Sequence, residues 1–326
     1  MSDHSSTQQT SVVKIENLSK RFGSTIALDN VSLSIPRGVV FALLGENGAG
    51  KSTCLKTLLG LERPDSGYAE VLGMDSSKDG INIRAAVGYV PENPALYDWM
   101  TVAEIGWFTA GFYPTGFQAE FERLATEYEL PLDRKIKKLS KGGKAKVSLA
   151  LAAAHKPPLM IMDEPTSGLD TLVRRKFLES MVDIAASGRT VLLSSHQIPE
   201  VERVADTVAI VNQGKVLVCD SLDNLKQSME QWVVTMKEPG IELPAVKAEI
   251  LLHEGLNSRR QRLLVRDTTP ECLWNVRDAE GVQEVEVHTP SLEEIFVGLM
   301  KSSKNKSESS SQMEADHPTQ SAEATR

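Results

Sequence analysis

The chain has 326 residues and a formal net charge of −8, with 25% charged and 41% hydrophobic residues, ordinary values for a soluble globular protein. Its length accommodates one large domain and a smaller one. The acidic balance argues against a dedicated nucleic-acid binder, whose basic charge covers a whole face. Three cysteines, Cys54, Cys219 and Cys272, stand far apart; they form neither a disulfide framework nor a metal-binding spacing and fit a reducing cytoplasm.

The opening MSDHSSTQQT has no apolar core of the kind a signal peptide needs, and residues 1–11 are expected to be disordered. SVVKIENL and VSLSIPRGVVFALLG alternate or run β-branched and read as strands. The glycine-rich GENGAGKST follows, then helical spacing in CLKTLLGLE, giving strand, loop, helix. AAVGYVP and PLMIMDEP are short apolar runs ending in polar residues, as buried parallel strands do. RTVLLSSH and DTVAIVNQGKVLV complete the set, with Asn212-Gln213-Gly214 as a hairpin turn. Helices are expected over residues 101–130, 141–155, 171–186 and 199–205. No unbroken apolar run exceeds the six residues of LALAAA, far short of the roughly 18 residues that span a bilayer.

Residues 12–220 therefore read as an α/β domain with a helical insert at about 94–155. Residues 221–300 change character: WVVTM, RLLVR and VQEVEVH look like short strands, and SLEEIFVGLM like a closing helix with Ser291 at its N-cap. This is a small α+β appendage. Residues 301–326 are Ser/Glu/Lys-rich and are expected to be disordered.

Two stretches carry chemistry. GENGAGKS, Gly45 to Ser52, fits G-x-x-x-x-G-K-[ST]. The backbone of Gly45, Glu46, Asn47, Gly48, Ala49 and Gly50 can wrap phosphate oxygens, helped by the partial positive charge of the helix start. Lys51 reaches β- and γ-phosphates, Ser52 coordinates magnesium, and Thr53 bonds an α-phosphate. LMIMDE, Leu159 to Glu164, is an apolar strand ending in two carboxylates. Asp163 is assigned to magnesium and Glu164 to the attacking water as general base.

Over residues 12–220 the sequence resembles the ATP-binding subunit of ABC transporters, a P-loop NTPase with a RecA-like core, an antiparallel β subdomain and an inserted helical subdomain. The resemblance places Phe22 of RFG on adenine, GYVPENP at the Q-loop, LSKGG at the signature, SGLD with Asp170 at the D-loop and LLSSH with His196 at the switch strand. It implies ATP and Mg2+ as ligands, catalytic roles for Lys51, Glu164 and His196, and contacts to nucleotide from Ser140 and Gly142. His196 would meet the γ-phosphate. Three departures stand out: Glu92 replaces the Q-loop glutamine and can accept from water or sit near magnesium but cannot donate as an amide; the signature, usually LSGGQ, reads LSKGG; and Thr171 replaces a proline after Asp170. Such deviations, with TPSLEEIFVGLM near the C-terminus, look like the type-2 ABC exporter class. That implies two ATP-binding subunits packed head to tail, as a homodimer or pseudo-symmetric heterodimer, on the cytoplasmic face of the cell membrane. It also implies an integral membrane permease on a separate chain and no nucleic-acid partner. The rival classes are a soluble ABC-type ATPase acting on nucleic acid or ribosomes, and a regulatory module. The chain has one ATP-binding unit and no sustained heptads, against the first.

Nine of the 17 aromatics fall between Tyr97 and Tyr128. Most read as the insert's own core, with Tyr97 and Trp99 assigned to a groove for a permease helix. Cys54 reads as a packed helix residue, with nucleotide blockade on alkylation as the sharper alternative. LSKGGKAKV opens a helix capped by Ser140, with Val147, Leu151 and Ala154 on its buried side. Lysines 141, 144 and 146 conflict with the helix dipole there, and such conflicts tend to mark functional sites. Lys141 has two expected orientations, toward a phosphate of the opposite subunit or toward water.

Overall fold

The computed structural model describes residues 11–315; residues 1–10 and 316–326, where the ends of the chain were expected to be disordered, lie outside the described residues. The chain divides into two compact units, residues 1–222 and 223–326.

In the first unit the elements run β1 (Ser11–Phe22), β2 (Thr25–Pro36), β3 (Val40–Leu44), α1 (Lys51–Leu58), β4 (Ser66–Val71), β5 (Met74–Asp75), α2 (Gly80–Ala86), β6 (Gly88–Val90), α3 (Val102–Ala110), α4 (Phe117–Glu127), α5 (Lys141–Ala153), β7 (Leu159–Asp163), α6 (Thr171–Ala186), β8 (Thr190–Ser195), α7 (Ile198–Val204), β9 (Thr207–Asn212) and β10 (Lys215–Ser221). β2, β1, β4 and β5 form an antiparallel sheet in that order. The second sheet has the order β10-β9-β3-β8-β7-β6, parallel from β9 to β6 with β10 antiparallel at the edge. All five residues of β3 and of β7 are buried, which is why these strands are unbroken apolar runs.

The expected strand over residues 31–45 is two strands in two different sheets. Pro36 ends β2, and Gly38 turns the chain at φ 78 before β3. The expected helix over 101–130 is likewise two. Thr101 caps α3 in a capping box with Glu104, and Pro114 and Gly116 at φ 107 break the chain before α4. The hairpin expected at residues 212–214 forms: Asn212 pairs with Lys215 across Gln213 and Gly214, both at positive φ, the twist that suits a two-residue loop. On α5, Val147 and Ala154 are buried as expected, whereas Leu151 is only half-buried.

The second unit opens with α8 (Leu222–Gln227) and continues through β11 (Met229–Met236), β12 (Glu249–Gly255), β13 (Arg260–Arg266), α9 (Pro270–Arg277), β14 (Val282–His288) and α10 (Leu292–Ala315). Its sheet has the order β12-β13-β11-β14, antiparallel throughout. Trp232, Val234 and Met236 alternate onto one face of β11 and pack with Leu263, Val265, Cys272 and Val276. α10 packs on β12 and β13, and Ser291 caps it, accepting from Glu294 N at 3.3 Å while Glu294 Oε2 takes Ser291 N at 2.8 Å. The helix continues to Ala315, so residues 301–315 depart from the disorder expected of their composition. Burial of Leu292, Ile295, Phe296, Leu299 and Met300 supplies the costly nucleus, and each later residue then adds a hydrogen bond.

Candidate functional site

Four neighbouring strands, β3, β8, β7 and β6, point the same way, so their C-terminal ends bring four loops together, where open α/β sheets bind ligands. The loop Gly45–Gly50 follows β3, His196 follows β8, Glu164 follows β7, and Glu92 lies two residues past β6. These loops line a cleft of about 530 Å³ together with Thr25 and Ala27 of β2. Gly50 is required at the helix start: its φ is 105, and a Cβ there would lie 2.2 Å from Ala27 O.

Lys51 is buried and donates to Gly45 O at 2.7 Å and Glu46 O at 3.1 Å. Its ammonium also pairs with Glu164 Oε1 at 3.1 Å. Glu164 Oε2 meets His196 Nδ1 at 2.8 Å, so one buried carboxylate bridges Lys51 and His196. Asp163 Oδ1 accepts from Ser52 Oγ at 2.9 Å and from Ser194 Oγ at 2.6 Å. Ser194 also holds the next residue, because Glu164 N donates to its carbonyl at 3.2 Å and to its Oγ at 3.0 Å. Ser194 had no assigned role in the sequence reading; the available signal was two serines ending an otherwise apolar buried strand.

A magnesium ion fits Ser52 and Asp163, a hydroxyl and a carboxylate already 2.9 Å apart, since that ion takes few protein oxygens and is completed by substrate phosphate and water. Among the described residues no group of three or more His, Cys, Asp or Glu side chains forms a self-sufficient metal site. Glu92 lines the same cleft. Phe22 is 47% exposed at the end of β1, with Lys20 Nζ 5.1 Å over its ring, and it pairs with Thr25 at the cleft edge.

Ser140, Gly142 and Asp170 do not line this cleft. Ser140 caps α5, accepting from Gly143 N at 3.1 Å. Asp170 caps α6, accepting from Val173 N at 3.0 Å. Gly142 is buried against Val173, whose Cγ1 would be 3.1 Å from a Cβ there. Lys141 is exposed, and its side chain lies over Gly168, where a Cβ would be 2.4 Å from its Nζ. Lys144 pairs with Asp98 at 2.7 Å and Lys146 donates to Tyr128 O at 2.9 Å, whereas Lys135, Lys137 and Lys138 are exposed. Cys54 is 4% exposed, and burial pushes its thiol up to about 12. In the helical insert, Phe117 and Phe121 are buried, but Tyr97, Trp99, Trp107, Phe108 and Phe112 are exposed. Tyr97 contacts Trp99 and Phe108, with ring centroids 6.1 and 5.5 Å apart, and Phe108 contacts Phe112 at 5.5 Å.

Comparison with known proteins finds relatives in one family. The ABC transporter family profile matches residues 28–167. The linearmycin resistance ATP-binding protein of Bacillus subtilis is 34% identical over 307 residues, 88% of this chain and 98% of that protein. A protein of Escherichia coli named "Probable multidrug ABC transporter ATP-binding protein" is 35% identical over 240 residues, 71% of this chain; the match spans 41% of that longer protein. A solved structure of an ATP-binding subunit of an ABC transporter superposes with a TM-score of 0.62 at 32% identity, covering 66% of this chain and 92% of that one. With a P-loop NTPase fold, the phosphate loop and the paired carboxylates in place, the chain belongs to the family of ABC transporter ATP-binding proteins.

Proposed function

We propose that this chain binds and hydrolyses ATP to power export through a separate permease, working from the cytoplasmic face of the cell membrane. The observation that carries the proposal is Glu164, a buried carboxylate held between Lys51 and His196 next to the Ser52–Asp163 pair. Among the described residues no helix is long and apolar enough to cross a membrane.

On this reading, the P-loop N–H groups from Gly45 to Thr53 wrap the phosphates, and Phe22 stacks on adenine. Lys51 exchanges Glu164 for β- and γ-phosphate oxygens. Ser52 and Asp163 would hold magnesium, which would neutralise charge on the phosphates. Released from Lys51, Glu164 keeps its bond to His196 and accepts the proton of the water that attacks the γ-phosphorus. Glu92 orients that water or sits near the metal. Ser140 and Gly142, absent from the P-loop cleft of their own chain, serve the nucleotide of a second subunit packed head to tail, and Asp170 faces the same interface. Hydrolysis then lets the pair open, a rigid-body step that the helical insert hands to the permease. The exposed chain of Trp99, Tyr97, Phe108 and Phe112 suits a permease helix, since aromatic residues are enriched at interface cores. A nucleic-acid switch finds less support, because Lys144 and Lys146 of the basic patch are engaged within the unit.

Glu164→Gln tests the reading. The variant is expected to bind Mg-ATP and to lose turnover by at least about 100-fold. Turnover near that of the parent would overturn the assignment of Glu164 as base.

A further inference from the structure

Glu200 is a charged side chain that the mechanism above does not use, yet the residue is only 7% exposed. It lies on α7, four residues after His196. Its Oε2 accepts the hydroxyl of Thr166, which is 3% exposed. Its Oε1 is 3.1 Å from Arg174 Nε on α6, an ion pair in which neither atom has an aligned hydrogen bond. Arg174 reaches on through Nη2 to Leu169 O at 3.1 Å. A single carboxylate thus ties together α7, α6 and the loop from Pro165 to Asp170.

A buried ion pair is weak evidence of stabilisation, since apolar residues of the same volume often do as well. What this one holds is more telling. Glu164 stands two residues before Thr166 with φ 45, a left-handed conformation uncommon for a non-glycine residue that persists only where its surroundings over-determine it. Ser194 holds Glu164 from the strand side. The Thr166–Glu200–Arg174 group holds the loop from the other side, and Glu200 belongs to the helix that follows His196.

We propose that Glu200, with Arg174 and Thr166, is a positioning group that sets the 2.8 Å contact between Glu164 and His196 by locking the loop after Glu164 to the helix after His196. The proposal rests on the reading of Glu164 as the base.

The test uses the full chain and steady-state Mg-ATP hydrolysis, with Mg-ADP affinity and thermal unfolding measured on the same samples. Thr166→Val, which keeps shape and loses the hydroxyl, and Glu200→Gln are each expected to lower kcat about 10- to 100-fold, the scale of a small misplacement of reacting groups. KM and the Kd for ADP are expected to stay within about twofold. Arg174→Lys, which keeps the charge, is expected to retain more turnover than Arg174→Ala. A kcat within about twofold of the parent in both Thr166→Val and Glu200→Gln overturns the proposal, and so does a loss that merely follows the folded fraction. If Glu200→Gln fails to fold, Thr166→Val leaves the Arg174 pair intact and decides alone. The two readings fail separately. Full turnover in Glu164→Gln removes the base, whereas an inactive Glu164→Gln beside fully active Thr166→Val and Glu200→Gln removes only the positioning role.

Discussion

Glu164 is placed to compete with nucleotide for Lys51, and this has a measurable consequence. The side chains of Lys51 and Glu164 are 5% and 8% exposed and lie 3.1 Å apart. Removing one partner of a buried pair costs about 3–5 kcal/mol when nothing else compensates. Here Lys51 keeps Gly45 O at 2.7 Å and Glu46 O at 3.1 Å, and a glutamine at 164 still offers an amide oxygen. The residual cost is about 1–2 kcal/mol, close to that of an ordinary hydrogen bond. On the proposed reading it falls on the nucleotide-free protein, since Lys51 would face phosphate in the complex. Glu164→Gln is therefore expected to melt about 2–8 °C lower without nucleotide and to bind ADP about 5- to 30-fold more tightly. ADP is the right probe because it lacks the γ-phosphate through which the two subunits would close. Isothermal titration with Mg-ADP and scanning calorimetry read the two effects. An unchanged melting temperature with an unchanged Kd would refute the competition, and weaker ADP binding would mean that Glu164 supports the nucleotide site directly.

Three further outcomes follow from the same geometry. Ser194→Ala removes a donor to the buried Asp163 carboxylate and an acceptor for Glu164 N. It is expected to cost about 1.5–3 kcal/mol, the range for hydrogen bonds to charged groups, in urea unfolding; an unchanged midpoint would contradict it. Cys54, its thiol pushed up to about 12 by burial, carries almost no thiolate at neutral pH. A maleimide is expected to leave Cys54 unlabelled in the folded protein and Mg-ATP binding intact, and mass spectrometry showing rapid Cys54 labelling would refute this. His155 stacks on Tyr113 with ring centroids 4.5 Å apart, and burial lowers its pKa below the ordinary 6.5. The folded state thus binds that proton less well than the unfolded chain. Its contribution to stability is full above pH 6.5 and is lost as pH falls through the folded value. His155→Phe, which keeps a ring beside Tyr113, is expected to flatten the acid-side fall in melting temperature; superimposable pH profiles would count against it.

The parts of the site that depend on residue type in a short window were legible in the sequence. Gly45 to Thr53 announces a phosphate loop because a close backbone approach and a lysine at a fixed offset are both local properties. Ser140 as a helix cap and the turn at residues 212–214 are local in the same sense. Long-range partnerships were not legible. Ser194 is 31 residues from Asp163, and Glu200 is 34 from Thr166; only the parallel register of β7 and β8 and the packing of α6 on α7 bring them together. α2 escaped because seven residues with one buried apolar side chain, Ile83, carry no readable period. α9 carries a local start signal, with Thr269 as its cap and Pro270 at its first position. The aromatic run in the helical insert read mainly as core; Tyr97 and Trp99, assigned to a groove, are exposed, and so are Trp107, Phe108 and Phe112, the first two of these because α3 has only Val102, Ile105 and Gly106 on its buried side.

On the proposed function, ATP is hydrolysed between the P-loop of one copy and the signature segment of another, and mixing two disabled variants shows whether it is. Lys51→Ala removes the phosphate lysine and leaves the Ser140 segment whole; Ser140→Arg blocks that segment and leaves the P-loop whole. Each alone is expected to be inactive. Mixed in equal amounts, half of the dimers carry one variant of each kind and so one intact composite site, restoring about a quarter of the parent rate by the symmetry of the pair. A mixture no more active than the sum of its two components, from variants that each still fold and associate, would rule out a composite site.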